Sequence, residues 1–248
     1  MADSIFVDDL IALREDISEH NFLSGRVGEI AKIVTLKEFE VEFRDEYYRV
    51  IAKIPLKLEQ IQILRHETTI TDRLFWQLIE DANARSGNDA EQQVQLLAAT
   101  LAERSIADIY AFGMLTRKYM WFAYRDDLWA AAFVIQGRGC SDDGFTDFRS
   151  WLVGRGEKVY YDALQDPETL IDLVEVKCDY GWAYGEIAIG VEFVDSDAYE
   201  KKTGQPMYHS PGNPSIPKLI GAFWDEEAAL RMFPKLAAKF GIGECEED

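Results

Sequence analysis

The spacing of apolar residues changes near residues 65–71, and this change restricts the chain to two kinds of structure in series. Before it, apolar and polar residues alternate, as in FEVEF at 39–43, which is the period of half-buried strands. After it, apolar residues recur every three or four positions, as in RLFWQLIEDANAR at 73–85, which is the period of amphipathic helices. We therefore predict an α+β protein of two domains, a β module at 1–65 and a mainly helical domain at 71–248.

The N-terminal module has the spacing of short strands joined by tight turns. Alternation is clearest at 30–34, 39–43 and 48–54, and a closing strand is expected after Pro55. A segment of about 60 residues with this pattern is most economically a small, strongly bent SH3-like β-barrel.

Helical spacing covers most of the remainder, and two stretches depart from it. The predicted helical segments are 73–85, 90–104, 105–137, 141–175 and 225–240. Asp166-Pro167 is a typical helix start, and Pro234 should break or kink the final helix. Residues 177–190 are aromatic and glycine-rich and fit either a loop or a helix. Residues 204–221 contain four prolines and are expected to form a long loop.

The formal net charge of -19 bears directly on the choice of partner. Because phosphates need clusters of Lys and Arg, nucleic acid is an unfavourable partner, and a protein with a basic surface is favoured. Residues 1–65 hold 13 acidic and 9 basic side chains, so -15 of the total falls on the rest of the chain. The alternative is that the acidity only maintains solubility.

Three cysteines, Cys140, Cys178 and Cys245, form no CxxC pair, so we expect reduced thiols without a structural zinc site. The N-terminal segment MADSIFVDDLIAL carries acids where a secretory signal carries positive charge. No apolar run approaches the roughly 18 residues of a membrane span. These features predict a cytoplasmic protein with no membrane partner.

Two family resemblances follow from longer patterns. DLIALREDISEHNFLSGRVGEIAKIV followed by FEVEF, within 9–64, resembles domain of unknown function family 4926, with Ser18 and Glu29 replacing the usual Pro and Thr. That resemblance implies an antitoxin or immunity role. Residues 72–204 resemble domain of unknown function family 4240, through FWQLIEDA, DLWAAAFVIQGRGCSDDGFTDFRSWLVGRG, ALQDPETL and AYEKKTG. Neither family implies a catalytic residue.

The densest polar cluster is GRGCSDDGFTDFR at 137–149, and it has two interpretations. In the structural one, Ser141 caps a helix whose first turn holds Asp142 and Asp143, where the helix dipole favours carboxylates. In the functional one, four side chains line a pocket for a ligand or a partner. These four are Asp142, Asp143, Asp147 and Arg149.

Trp182 and Tyr184 form a second candidate contact, because acids and glycines surround them in DYGWAYGE. Cys140 is expected to be a buried, inert thiol, since His209 is the one His expected within the helical domain and nothing places it nearby. No P-loop, dinucleotide motif or G-x-S-x-G elbow is present. We predict no catalytic residue, no metal and no cofactor.

Two main hypotheses remain at this point, beside a third in which the chain is a regulatory module whose N-terminal barrel docks a neighbouring domain. The first is a non-enzymatic, acidic binding factor, of which an immunity or antitoxin-like protein is one form, that masks a basic partner protein. The second is an enzyme or small-molecule sensor with a pocket at 137–149.

Overall fold

A computed structural model of the chain describes residues 5–7, 9–44, 49–65, 67–87, 89–179, 182–188, 190–207 and 224–241. Within these ranges an N-terminal antiparallel sheet is followed by a helical region, so the α+β class is confirmed. Part of the predicted loop at 204–221 lies outside the described residues.

Five strands form the N-terminal sheet, in the order β4-β3-β2-β1-β5. They are β1 (Leu10–Leu13), β2 (Val27–Thr35), β3 (Glu38–Arg44), β4 (Val50–Lys57) and β5 (Ile61–Ile63). Alternation places Phe39, Val41 and Phe43 of β3 on the buried face, because successive side chains of a strand point to opposite faces. The two edge strands in the described residues do not pair with each other, so this sheet is not closed and an SH3-like barrel stays a prediction.

Nine α-helical segments follow in the described residues. They are α1 (Asp72–Ser86), α2 (Ala90–Ala102), α3 (Ile106–Phe122), α4 (Asp126–Ile135), α5 (Asp142–Gly154), α6 (Glu157–Gln165), α7 (Val194–Thr203), α8 (Glu226–Met232) and α9 (Pro234–Leu236). The predicted break at Pro234 separates α8 from α9. Asp166 accepts a hydrogen bond from the backbone N–H of Glu168 and begins a short 3-10 helix (Pro167–Asp172), as the Asp-Pro pair predicts.

The stretch at 177–190, for which the sequence left loop and helix open, contributes to a two-stranded antiparallel ribbon. Its strands are β6 (Val176–Asp179) and β7 (Trp182–Gly185). None of the helices in the described part of the chain combines the length and apolar character needed to cross a bilayer.

The chain divides into two compact units. The first comprises residues 1–73, 97–114 and 193–216, and the second comprises 74–96, 115–192 and 217–248. The sequence predicts a boundary near residues 65–71 between segments that fold independently. Compact units describe packing and not independent folding, so this boundary stays a prediction.

An aromatic cluster forms part of the core of the second unit. The ring of Trp76 lies 4.5 Å from that of Tyr119 and 5.3 Å from that of Tyr160, measured between centroids. The Tyr160 hydroxyl donates a 2.8 Å hydrogen bond to the Tyr119 carbonyl, which satisfies this polar group in the interior. These contacts pack α1, α3 and α6 against one another at this cluster.

Candidate functional site

A cavity of about 250 Å³ lies in the second unit, between α5 and the end of β7. We call it the α5–β7 cavity. Its lining residues are Gln136, Gly144, Asp147, Tyr184, Gly185, Glu186 and Ile187.

The α5 side of this cavity is built by a helix start. The Ser141 hydroxyl accepts a 3.1 Å hydrogen bond from the Gly144 backbone N–H, as expected for an N-cap. Asp142 and Asp143 occupy the first turn and are exposed to solvent, where the helix dipole favours their charge. Asp147 follows about one turn later and borders the cavity.

Two glycines allow β7 to approach the end of α4 closely. Gly137 has a φ of 70°, and a Cβ there would lie 3.0 Å from the Cβ of Tyr184. A Cβ on Gly185 would lie 2.4 Å from Val174 Cγ1 and 2.8 Å from Ile135 Cγ2, closer than real Cβ atoms come. Larger residues at either position would push β7 away and alter the cavity wall.

Two carboxylates give the cavity its charge. Asp147 and Glu186 both line it, and both side chains are solvent-exposed. The Glu186 carboxylate lies 3.6 Å from the Lys177 ammonium across the β6–β7 ribbon, a surface ion pair of the kind that contributes little to stability. A cationic group entering the cavity would therefore meet two carboxylates, one of them weakly engaged.

The structure brings together some of the residues that the sequence singled out. Asp147 and Tyr184, predicted from separate motifs, line the same cavity. Asp142 and Asp143 lie in the same helix but do not line it, and act at the helix start as the structural interpretation describes. Trp182 begins β7, and its side chain lies outside the described residues.

Arg149 has an interior role. Its guanidinium donates to the carbonyl of Met120 (3.0 Å), the carbonyl of Phe145 (3.2 Å) and the Thr146 hydroxyl (2.9 Å). It also lies 4.9 Å from the ring centroid of Tyr124 and 5.0 Å from that of Phe145, within cation–π range. Burial lowers the pKa of Arg149. Arg149 is therefore held by interior contacts and does not line the α5–β7 cavity.

Cys140 has the environment of an unreactive thiol. Burial raises its pKa to about 11, so very little thiolate is present near neutral pH. The Gln136 side-chain amide lies 3.6 Å from its sulfur. Cys178 in β6 is disulfide-bonded, so the expectation of reduced cysteines is wrong at that position.

Two polar lining residues, Gln136 and Glu186, were not among the predicted site residues. Gln136 belongs to the turn after α4, and Glu186 follows the aromatic pair. The sequence shows Glu186 among the acids of DYGWAYGE, but no local signal places it at the same cavity as Asp147. Their shared position depends on how α5 lies beside the end of β7, which the spacing of apolar residues in the sequence does not reveal.

Within the described residues, no three His, Cys, Asp or Glu side chains come together as a metal site would require. Of the three histidines, His20 is described, and its ring stacks on Phe22 in the first unit at 5.7 Å. The absence of a cofactor stays a prediction.

Comparison with known proteins identifies the larger part of the chain. A family model described as "Protein of unknown function (DUF4240)" matches residues 70–201, just over half of the 248 residues. It does not extend to residues 9–64, so the resemblance of that segment to family 4926 stays a prediction. No curated protein and no solved structure matches the chain. The match over 70–201 shows that this chain belongs to the family of proteins of unknown function DUF4240.

Proposed function

We propose that this chain is a non-enzymatic, acidic binding factor that masks a basic surface on a partner protein. The observation that carries the proposal is the α5–β7 cavity, where Asp147 and Glu186 face one space. This cavity lies in the part of the chain that holds -15 of the net charge of -19. A Lys or Arg side chain of a partner is the complementary occupant, because its aliphatic stem would pack on Tyr184 and Ile187 while its charged head meets the two carboxylates.

The size of the cavity favours a single side chain over a small-molecule ligand. Sites for drug-sized ligands commonly occupy about 300–1,000 Å³, and this cavity of about 250 Å³ falls below that range. The alternative function, an enzyme or sensor with its pocket at 137–149, has less support. Asp142 and Asp143 are at the helix start, Arg149 is packed inside, and the Cys140 thiol is held protonated.

The acidity outside the cavity has a separate role in the proposal. Long-range attraction between an acidic protein and a basic one raises the rate of association more than the final affinity. Specificity then comes from the cavity, where a desolvated cation meets fixed partners. An immunity or antitoxin-like protein, acting in the cytoplasm, is the specific form of this function that we propose.

The N-terminal module would serve this function as a docking element. Its meander of four strands, with a 3-10 turn (Leu58–Gln60) before β5 returns to β1, has the strand order expected of an SH3-like barrel. We propose that fold for residues 1–65 and two domains, 1–65 and 71–248, for the whole chain. Expression of each segment alone, followed by thermal unfolding, tests the division. With a correct boundary, each of the two segments unfolds in one cooperative transition of its own.

Affinity capture from the host of origin tests the proposed function. The immobilised chain should retain a basic protein at near-stoichiometric amounts at low ionic strength and release it as salt rises, because salt screens exposed charges. The double variant Asp147→Asn/Glu186→Gln should lose this retention.

The matched control is Asp142→Asn/Asp143→Asn, which removes the same number of charges from the exposed helix start. Retention by this control together with loss in the cavity variant supports the proposal. Equal loss in both variants would show that bulk acidity alone is responsible. Failure of the wild-type chain to retain a basic protein would refute the proposed function.

A further inference from the structure

A second cavity, of about 620 Å³, lies within the first compact unit and differs in charge from the α5–β7 cavity. We call it the β1–α7 groove. Its lining residues are Leu13, Arg14, Asp16, Leu23, Ser24, Gly25, Gln62, Ile106, Lys202 and Thr203. Its volume falls in the range of about 300–1,000 Å³ that is typical of small-molecule sites.

Arg14 supplies the first cation of the groove. It follows β1, and its Nε donates a 2.9 Å hydrogen bond to the Ile61 carbonyl in β5. One terminal nitrogen donates to a Glu67 carboxylate oxygen at 2.8 Å. A guanidinium has five N–H donors, and these two bonds use two of them. The side chain is therefore held in place with donors left for a further acceptor.

Lys202 supplies the second cation, from the last turn of α7. Its ammonium donates a 3.0 Å hydrogen bond to the carbonyl of Ala102, at the end of α2. This bond uses one of three ammonium donors. Both cations are thus anchored through backbone carbonyls, which lowers the entropy lost when they bind a ligand.

Close packing fixes the wall of the groove at Gly25. Gly25 has a φ of 84°, and a Cβ there would lie 2.7 Å from Ile106 Cδ1, so the loop approaches α3 without room for a side chain. The buried Tyr199 hydroxyl donates a 2.8 Å hydrogen bond to the Gly25 carbonyl. This part of the groove wall is therefore held by contacts within the chain.

The lining combines positive charge, neutral hydrogen-bonding groups and one apolar wall. Two cations and one carboxylate line the groove, and that carboxylate, Asp16, accepts a 2.6 Å hydrogen bond from the Ser24 backbone N–H. A second carboxylate, Glu67, pairs with Arg14 from outside the lining. Gln62 and Thr203 add neutral polar groups, while Leu23 offers an apolar side chain that is 48% exposed. The larger of these two cavities has two basic side chains and one acidic side chain in its lining, which the net charge of -19 does not predict.

We propose that the β1–α7 groove binds a small organic anion, with its carboxylate or phosphate between Arg14 and Lys202 and its apolar part against Leu23. Charge-assisted hydrogen bonds from a guanidinium and an ammonium are the strong contacts for such oxygens. This ligand is opposite in charge to the basic partner of the α5–β7 cavity and occupies the other compact unit. The two proposals therefore stand or fall separately.

Calorimetric titration of the full chain with phenyl phosphate and with benzoate tests the proposal. The two probes share a ring and differ in the anionic group, and benzamide is the neutral control. At least one anion should bind measurably above benzamide, and the stronger one identifies the group that the groove prefers. If neither anion binds better than benzamide, the proposal is refuted.

Variants locate the binding. Lys202→Gln should weaken the preferred anion by about tenfold, as loss of one charge-assisted contact implies. Lys201→Gln, which changes the same charge at the neighbouring position outside the lining, should leave the affinity unchanged. Arg14→Gln provides a second test, with circular dichroism to verify folding. Equal affinity in Lys202→Gln and the wild type would overturn the assignment to this groove.

Discussion

Arg149→Ala is the substitution that most sharply separates a packing role from a ligand-binding role. The change removes three hydrogen bonds, to Met120, Phe145 and Thr146, together with stacking on Tyr124. Each hydrogen bond contributes a net of about 0.5–1.5 kcal/mol, and a cation–π contact about 0.5–1 kcal/mol. Relief from burying the charge offsets part of this sum. We expect the free energy of unfolding to fall by about 2–4 kcal/mol.

Urea unfolding at neutral pH, followed by tryptophan fluorescence, measures this difference. Arg231→Ala is the matched control, because Arg231 is exposed and pairs with Glu227 one turn away at 2.6 Å. Such helix pairs contribute about 0.3–0.5 kcal/mol, so the control should be nearly neutral. A cost below about 0.5 kcal/mol for Arg149→Ala, within the range of an ordinary surface change, would refute the packing role.

Three further outcomes follow from the structure. The hydrogen bond from Lys53 lowers the pKa of Glu42, so the ionised carboxylate stabilises the fold above pH 4.5, and this stabilisation is lost as pH falls through the lowered pKa. Glu42→Gln should reduce the acid sensitivity of unfolding, and an unchanged pH profile would contradict this. Cys140, with its pKa raised to about 11, should react with iodoacetamide at neutral pH roughly 100-fold more slowly than an ordinary thiol, as read by peptide mass spectrometry; rapid labelling of the folded chain would argue against this. Gly185→Ala should cost about 1–3 kcal/mol in urea unfolding because its Cβ would meet Val174, and a neutral result would show that β7 can move.

Local sequence signals predicted the elements well where one physical effect dominates. Alternation in FEVEF placed Phe39, Val41 and Phe43 on the buried face of β3, because a half-buried strand has no other arrangement. The hydroxyl of Ser141 and the ring of Pro234 act within one turn of the chain. The resulting cap and helix break therefore follow from the sequence alone.

The candidate site was only partly predictable, because it depends on contacts between distant segments. Asp147 and Tyr184 were each identified from local composition, but nothing in the sequence joined them or added Glu186. Arg149 shows the opposite case, since an Arg in a polar motif is ordinarily exposed and here lies against Tyr124. Burial of that kind is a property of the assembled helices.

The central claim is that the acidic α5–β7 cavity receives a basic side chain of a partner protein. A titration with N-acetyl-arginine amide tests this claim most directly. Nuclear magnetic resonance of the isotope-labelled chain should show saturable shifts at the amides of Gly144, Tyr184 and Gly185. These shifts should be lost in Asp147→Asn/Glu186→Gln and absent with N-acetyl-norleucine amide. Shifts that are missing from the wild type, or that persist unchanged in the double variant, would contradict the account.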